Sequence, residues 1–223
     1  MDAYEIEIKS LLGEKARAEQ LIESMKRIDP KLKILGSHKQ LNHYFVSGDL
    51  LRLYKNTRQL VERDKQDIFA RISRSKNYSV RTADRDGKIL LVIKASVDDT
   101  TSANGIARME FEAEVKLSLD ELDKLVLDSG FQCQAKWSRE RQEFKYKDLD
   151  VSIDKNAGYG YLAEFEKVID DPSKVEEIKT VIRDCMQVLG LEELPQDRLE
   201  RMFDYYNKNW QDYYGTDKTF KID

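Results

Sequence analysis

The sequence is poor in the residues that build zinc and redox sites. It contains two cysteines, Cys133 and Cys185, and two histidines, His38 and His43. The cysteines are far apart and have no metal-like spacing, so a zinc site is not predicted and a reducing cytoplasm is the expected location. Carboxylates are abundant instead. A bound metal is therefore expected to be a hard cation such as magnesium, manganese or calcium.

Long apolar runs and an excess of basic charge are also missing. No run approaches the roughly 18 apolar residues that a membrane-spanning helix needs, and the N-terminus lacks a signal-peptide pattern. The 223 residues are 40% hydrophobic and 36% charged, with a net charge of −4. This composition predicts a soluble globular protein. It argues against a general nucleic-acid binder, whose surface should be basic.

The segment Glu5-Ile6-Glu7-Ile8-Lys9 alternates charged and branched apolar side chains. In a β-strand successive side chains point to opposite faces, so Glu5, Glu7 and Lys9 would share one face. Taken alone, the segment is most simply an edge strand with a solvated charged face. Two carboxylates and an ammonium could instead hold a divalent cation and its accompanying anion. The same charged alternation returns in later segments, and this repetition favours the second interpretation.

Hydrophobic periodicity predicts an α+β protein with a large antiparallel sheet. The predicted strands cover 5–9, 39–46, 78–83, 88–95, 106–116, 132–146, 149–154 and 161–168. The predicted helices cover 11–28, 50–72, 118–129, 172–189 and 195–210. Residues 98–105 are predicted to form a mobile loop. No linker or repeat interrupts the chain, so residues 1–223 are predicted to form a single domain.

Charged residues share one face of most later strands, while the other face is apolar. The same-face groups are Arg108, Glu110, Glu112 and Glu114; Arg139, Arg141 and Glu143; Asp150, Ser152 and Asp154; and Glu164 with Glu166. Two architectures fit this pattern. An open sheet could leave the charged face to solvent, or the sheet could close into a barrel with the charged face inward. Because buried charges are costly unless they pair or bind ions, a closed charged lumen implies a highly charged ligand.

The ordered set of motifs resembles the CYTH superfamily, the triphosphate tunnel metalloenzymes. The motifs are Glu5-x-Glu7-x-Lys9, a basic hairpin with Arg81 and Lys94, Arg108-x-Glu110-x-Glu112, Arg139-x-Arg141, Asp154, and Glu164-x-Glu166. They cover about residues 4–190. The resemblance implies an eight-stranded antiparallel β-barrel tunnel with helices packed outside, which binds triphosphate compounds together with a divalent metal.

The resemblance also implies roles for the charged residues. The triphosphate-binding set is Lys9, Arg81, Lys94, Arg108, Arg139 and Arg141. The metal set is Glu5, Glu7, Glu110, Asp154, Glu164 and Glu166, with Mg²⁺ or Mn²⁺ as the cofactor. Magnesium keeps several waters, so some of these acids are expected to lie beyond direct contact with the ion. Lys9 could bind phosphate or orient an attacking water, which makes Lys9, Glu5 and Glu7 the candidate catalytic residues.

The chain departs from the family pattern at three places. Residues 49–76 are predicted to be a helical insertion, acting as a lid or as a buttress. Its Arg71 and Arg74 could be mistaken for the family's basic strand, but Arg81 is preferred because it directly precedes the hairpin turn. Asn42 stands where many relatives have an acidic residue. A C-terminal helical extension, about 195–215, could cap one tunnel mouth or pair with another subunit in a homodimer.

Three function classes stay open. The expected function is a metal-dependent triphosphatase that hydrolyses inorganic tripolyphosphate or a small organic triphosphate. The alternative is a class IV-type adenylate cyclase, which converts ATP to cyclic AMP and pyrophosphate. The third class is a non-catalytic polyphosphate or nucleotide binder. In each case the expected partner is a small-molecule triphosphate, with neither nucleic acid nor membrane involved, and His43 is expected to be structural.

Overall fold

The computed structural model describes residues 4–96 and 108–222 of the chain. The strands are β1 (Tyr4–Gly13), β2 (Lys33–Val46), β3 (Tyr78–Arg85), β4 (Lys88–Ser96), β5 (Arg108–Glu114), β6 (Gln132–Tyr146), β7 (Leu149–Asn156) and β8 (Gly160–Ile169). The helices are α1 (Lys15–Ile28), α2 (Leu50–Thr57), α3 (Gln66–Ile72), α4 (Leu119–Asp128), α5 (Val175–Val188) and α6 (Gln196–Asn209). The loop predicted at 98–105 lies outside the described residues.

The eight strands close into a ring. Their order is β1-β5-β4-β3-β2-β6-β7-β8, and β8 pairs again with β1. Every neighbouring pair is antiparallel. The tunnel-like fold with external helices is therefore confirmed, and the open-sheet alternative is wrong. Among the described residues, no helix is both long enough and apolar enough to cross a membrane.

The apolar strand faces point outward and are covered by helices. On one side Ile6, Ile8 and Phe165 are fully buried in a cluster with Met25 of α1 and Ile182 of α5. A second cluster joins the outer faces of β3, β4 and β5 to α2, α3 and α4. Burial of apolar area is the main favourable term in folding. Since this term directs the apolar faces outward beneath the helices, the charged faces are left to line the lumen.

The predicted insertion is broken into two short helices rather than one long helix over 50–72. Helix α2 ends at Thr57, two 3₁₀ turns follow, and α3 begins at Gln66. At the break, the side-chain amide of Gln66 donates to the backbone carbonyl oxygens of Arg58 and Val61 at 3.2 and 3.1 Å. The break lets Val61 and Phe69 both enter the cluster on the outer wall. The insertion therefore buttresses the barrel.

The basic strand is the one expected. Arg71 lies on α3 and Arg74 in the turn after it, whereas Arg81 lies on β3.

The start of the first helix was predicted wrongly. Leu11 and Leu12 belong to β1, which ends at Gly13 with a φ of +71°, and α1 begins only at Lys15. Glycine adopts this left-handed conformation without a steric cost.

The C-terminal extension covers one end of the lumen. Trp137, which shares the strand face of Arg139, stacks on Tyr206 of α6 with the ring centroids 3.6 Å apart. The chain beyond α6 is tied to the β7–β8 turn, because Gly158 donates to the Lys218 carbonyl and Phe220 donates to the Gly158 carbonyl, each at 2.8 Å. An aromatic cluster thus closes the barrel next to its charged interior.

The buttress role of the insertion predicts that Phe69→Ala destabilises the whole barrel. Phe69 is fully buried, and its ring stacks on that of Phe111 in β5 at 4.4 Å. Removing such a ring costs about 3–5 kcal/mol, and urea denaturation should show this loss in a single transition. Leu51→Ala, on α2 but 44% exposed, is the control and should cost about 0.5 kcal/mol or less. Equal, small effects of the two changes would indicate a detachable lid instead.

Candidate active site

Three carboxylates converge on one wall of the lumen. Glu5 and Glu7 lie on β1, and Glu166 lies on β8 directly opposite Glu7 in the strand register. One oxygen from each side chain lies within 4.8 Å of the others. Strand alternation places the three on the inner face, since Ile6, Ile8 and Phe165 point outward. Hard oxygen ligands at this spacing suit a divalent cation of the magnesium or manganese type.

The raised pKa values of two carboxylates in this cluster indicate that too little positive charge lies beside them. Burial raises the pKa of Glu166 to about 9, and the charge of Glu5 and a hydrogen bond with it add to the shift. Burial also raises the pKa of Glu5, which Lys94 opposes and Glu7 reinforces. Carboxylates crowded in this way cannot all ionise unless a cation joins them. The donor set and its electrostatics therefore fit a bound metal ion, held by Glu5, Glu7 and Glu166.

Two lysines border the carboxylate cluster. The Lys94 ammonium donates to Glu5 at 2.6 Å and lies 3.4 Å from Glu110. Burial lowers the pKa of Lys94, but Glu7, Glu5 and Glu110 outweigh burial and raise it. The Lys9 ammonium donates to Glu7 at 2.6 Å and lies 3.7 Å from Glu164. Both lysines are therefore held by carboxylates at the edge of the cluster.

Two of the predicted metal ligands are instead engaged by arginines. Asp154 is fully buried and accepts from Arg139 at 2.9 Å and from Arg141 at 2.7 Å through each of its oxygens. Glu164 accepts from Arg141 as well. Burial raises the pKa of Glu164, but Arg141, Lys9 and Arg139 hold it well below its ordinary value. The structure therefore brings Glu5, Glu7 and Glu166 together. It places Asp154 and Glu164 beside Arg139 and Arg141 in an adjoining region, here called the arginine corner.

Guanidinium groups in and beside the arginine corner are incompletely compensated. Burial and the adjacent charge of Arg141 lower the pKa of Arg139. Arg81 donates to the Tyr44 hydroxyl at 3.2 Å, yet within the described chain its buried Nε has no partner, and neither has that of Arg85. A buried donor without an acceptor costs roughly 1–3 kcal/mol. An anion with several oxygens would satisfy these donors.

The two charged regions adjoin inside one lumen. Strands β3 and β6, which carry the arginines, flank β2, and the carboxylate cluster lies on β1 and β8. Glu164 joins the two regions, because it accepts from Arg141 of β6 and lies 3.7 Å from Lys9 of β1. Arg108 begins β5, and its backbone pairs with Glu5 of β1. The side chain of Arg108 is outside the described part of the chain.

Strand β2 also supplies residues to the lumen. By strand alternation His38, Gln40, Asn42 and Tyr44 face inward, in register with Arg141, Arg139, Trp137 and Ala135 of β6. The alternation was visible in the sequence, but its partners depend on the register with β6. His43 points outward, where it contacts Asp123 at 2.7 Å and Tyr214 at 2.9 Å, so it lies outside the lumen.

Known proteins resemble this chain in sequence and in fold. The sequence profile of the CYTH domain matches residues 3–198. A protein of Methanocaldococcus jannaschii named "Putative adenylate cyclase" is 25% identical over 182 residues, which are 81% of this chain and 93% of that protein.

Solved structures share the fold. A Pyrococcus horikoshii protein covers 88% of this chain and 98% of its own, with 19% identity and a TM-score of 0.62. A Vibrio parahaemolyticus protein titled "putative adenylate cyclase" covers 90% and 99%, with 12% identity and a TM-score of 0.59. At these identities the likeness establishes the fold alone.

The raised pKa of Glu166 predicts that metal binding competes with protons. Without metal, Glu166 keeps its proton up to about pH 9, and the proton must leave when an ion binds. The affinity for Mn²⁺ should therefore rise with pH, by up to about tenfold per pH unit between pH 6 and 8. Titration calorimetry would measure this, with Glu166→Gln as a weaker, less pH-dependent comparison. An affinity of the unaltered protein that does not change with pH would contradict this protonation.

The arginine corner predicts a large cost for Asp154→Asn. This change leaves two buried guanidiniums without their shared carboxylate, and breaking such a buried pair costs about 3–5 kcal/mol. Asp150→Asn is a matched control on the same strand face. Asp150 is 44% exposed and pairs with a 39% exposed Lys145, so its loss should cost about 0–1 kcal/mol. Chemical denaturation measures both, and equal costs would show that Asp154 does not balance the arginines.

Proposed function

Because the chain belongs to the CYTH domain family, we propose that it is a divalent-metal-dependent triphosphatase acting on inorganic tripolyphosphate or a small organic triphosphate. One observation supports this most directly: a carboxylate cluster and an adjoining group of buried arginines line one closed lumen. A triphosphate carries about four negative charges near neutral pH, and it needs cations along its whole length. The lumen offers lysines and arginines together with a site for a metal.

The proposed roles follow the contacts. Glu5, Glu7 and Glu166 hold the metal, and the phosphate oxygens bind the basic set. That set is Lys9, Arg81, Lys94, Arg139 and Arg141, with Arg108 as a further candidate. The planar fork of arginine suits phosphate because it donates two parallel bonds and stays charged. Glu110, Asp154 and Glu164 lie outside the convergent cluster, and each contacts a lysine or an arginine, so their proposed role is to orient these cations. They become available to a second ion only if the cations move onto phosphate.

The proposed reaction is attack of water on the terminal phosphorus. The new P–O bond forms to the water oxygen, the bond to the leaving diphosphate breaks, and orthophosphate results. A metal ion at the carboxylate cluster would neutralise charge on the transferred group and lower the pKa of a bound water. Lys9 lies between Glu7 and Glu164, where its ammonium can bind the transferred phosphoryl group or orient the water.

An adenylate cyclase is the second candidate, and the name of the Methanocaldococcus jannaschii relative favours it. In that reaction the ATP 3′-hydroxyl attacks the α-phosphorus, and a pocket must hold the base. The aromatic rings on the inner strand face are already engaged, however. Trp137 stacks on Tyr206, and Tyr44 accepts a hydrogen bond from Arg81. A triphosphatase needs no base pocket, so these contacts favour hydrolysis. A non-catalytic binder would need the cations but not the carboxylate cluster.

Product analysis tests the proposal. The purified protein would be incubated with Mg²⁺ or Mn²⁺ and with tripolyphosphate, thiamine triphosphate or ATP, and we expect orthophosphate to be released. Cyclic AMP with pyrophosphate from ATP would establish the cyclase instead. Tight binding without turnover of any of these compounds would establish the binder.

The metal assignment predicts that Glu5→Gln and Glu7→Gln each lower metal-dependent turnover by at least about a hundredfold, because metal ligands and their supporting groups matter at this scale. Glu140→Gln is the matched control. Glu140 lies on β6 between the two arginines, but it points outward, and its side chain is 55% exposed. Circular dichroism would check the fold of all three variants. Full activity in both cluster variants would refute the assignment.

A further inference from the structure

A histidine lies inside the lumen beside the arginine corner. The His38 side chain is 11% exposed, and it lies opposite Arg141 in the register of β2 with β6. Its Nε2 is 2.5 Å from the amide nitrogen of Gln40, and its Nδ1 is 3.5 Å from a Glu143 oxygen. None of the roles assigned above uses this imidazole.

The hydrogen bonds around Gln40 determine the protonation of His38. Arg139 can only donate, and its Nε donates to the Gln40 carbonyl oxygen at 2.6 Å. The amide NH₂ of Gln40 must therefore point at His38, so His38 Nε2 accepts. A protonated imidazole has donors on both nitrogens and could not accept. His38 is therefore neutral here, with its proton on Nδ1 facing Glu143.

Burial, together with three nearby arginines, favours the neutral imidazole. Burial lowers the pKa of His38, and Arg85 of β3 and Arg139 and Arg141 of β6 lower it further, against the opposing effect of Glu143. The carboxylates around these arginines are already shared. Glu112 of β5 pairs with Arg85 at 3.0 Å, and Asp154 of β7 pairs with both arginines of β6. An anion that binds the arginines would remove their part of the effect that disfavours a charged His38.

We propose that anion binding at Arg139 and Arg141 drives proton uptake by His38, with rotation of the Gln40 amide as the link between them. A phosphate oxygen that accepts from Arg139 Nε displaces the Gln40 carbonyl oxygen. The freed amide turns over, and its oxygen accepts a new N–H from His38 Nε2. The proton comes from solvent, and the added positive charge balances part of the ligand. This inference rests on the proposed function only in taking a polyphosphate as the anion.

Proton nuclear magnetic resonance tests the uptake directly, because the chain has only two histidines. The full-length protein at neutral pH would be titrated with tripolyphosphate in the presence of a chelator, which prevents metal-dependent turnover. His38→Asn assigns the two ring signals. We expect the His38 signal to move to the imidazolium position on binding, while that of His43, outside the lumen, stays in place.

Calorimetry in buffers of different ionisation enthalpy counts the protons. The ligand's own proton exchange is common to both proteins, so the native protein should take up as much as about one proton more than His38→Asn. Because binding takes up a proton, the native protein's affinity for tripolyphosphate should fall as pH rises, by up to about tenfold per unit more than that of the variant.

Gln40→Glu is the second variant. A carboxylate at this position accepts from His38 in every state, so His38 should be protonated before ligand is added and the ligand-linked uptake should disappear. The inference would be overturned if calorimetry detected binding while the His38 signal did not move. It would also be overturned if His38→Asn took up as many protons as the native protein. Either result would leave the proposed function intact. A complete failure of tripolyphosphate to bind would overturn the inference, while the product analysis with metal and three substrates tests the proposed function separately.

Discussion

The pairing of buried charge inside a closed ring is the constraint on which the rest of this structure depends. A carboxylate or guanidinium taken out of water is costly unless opposite charge and hydrogen bonds compensate it. Asp154, fully buried between Arg139 and Arg141, shows compensation by the protein itself. The Glu5, Glu7 and Glu166 cluster shows the opposite case, since its carboxylates compete for too few cations. The lumen is stable as folded, but its remaining imbalance is suited to a ligand.

The imbalance has opposite signs in the two regions. Glu164 and Glu166 are neighbours on the same face of β8, yet the pKa of Glu164 is well below its ordinary value and that of Glu166 is raised to about 9. Arg141 and Lys9 account for the first shift, and burial beside Glu5 accounts for the second. A cation fits one region and an anion fits the other. A triphosphate with its divalent ion supplies both in a single ligand, which is why this substrate class is proposed.

Apolar burial in the outer wall offsets the free-energy cost of the charged interior. Residues such as Ile8, Phe165 and Phe111 are almost completely buried beneath the helices, and this burial offsets the cost of a polar lumen. The inserted helices and the C-terminal aromatic cluster extend the covering around the ring. The same alternation that places an isoleucine outward places a glutamate inward, so stability and binding chemistry come from the two faces of one strand.

The sequence by itself determined the strand faces, because a period of two needs no tertiary information. It therefore predicted the charged inner set, the hairpin position of Arg81 and, through the order of the motifs, the closed tunnel.

The sequence did not determine which charges meet. Glu7 lies opposite Glu166, and His38 lies opposite Arg141, only because of inter-strand registers, and a shift of one residue would reverse every face. The tertiary structure alone decided that Asp154 and Glu164 pair with arginines, that 50–72 breaks into two helices, and that Gln40 connects Arg139 to His38. Contacts between distant strands depend on distances of a few ångströms that no local pattern encodes.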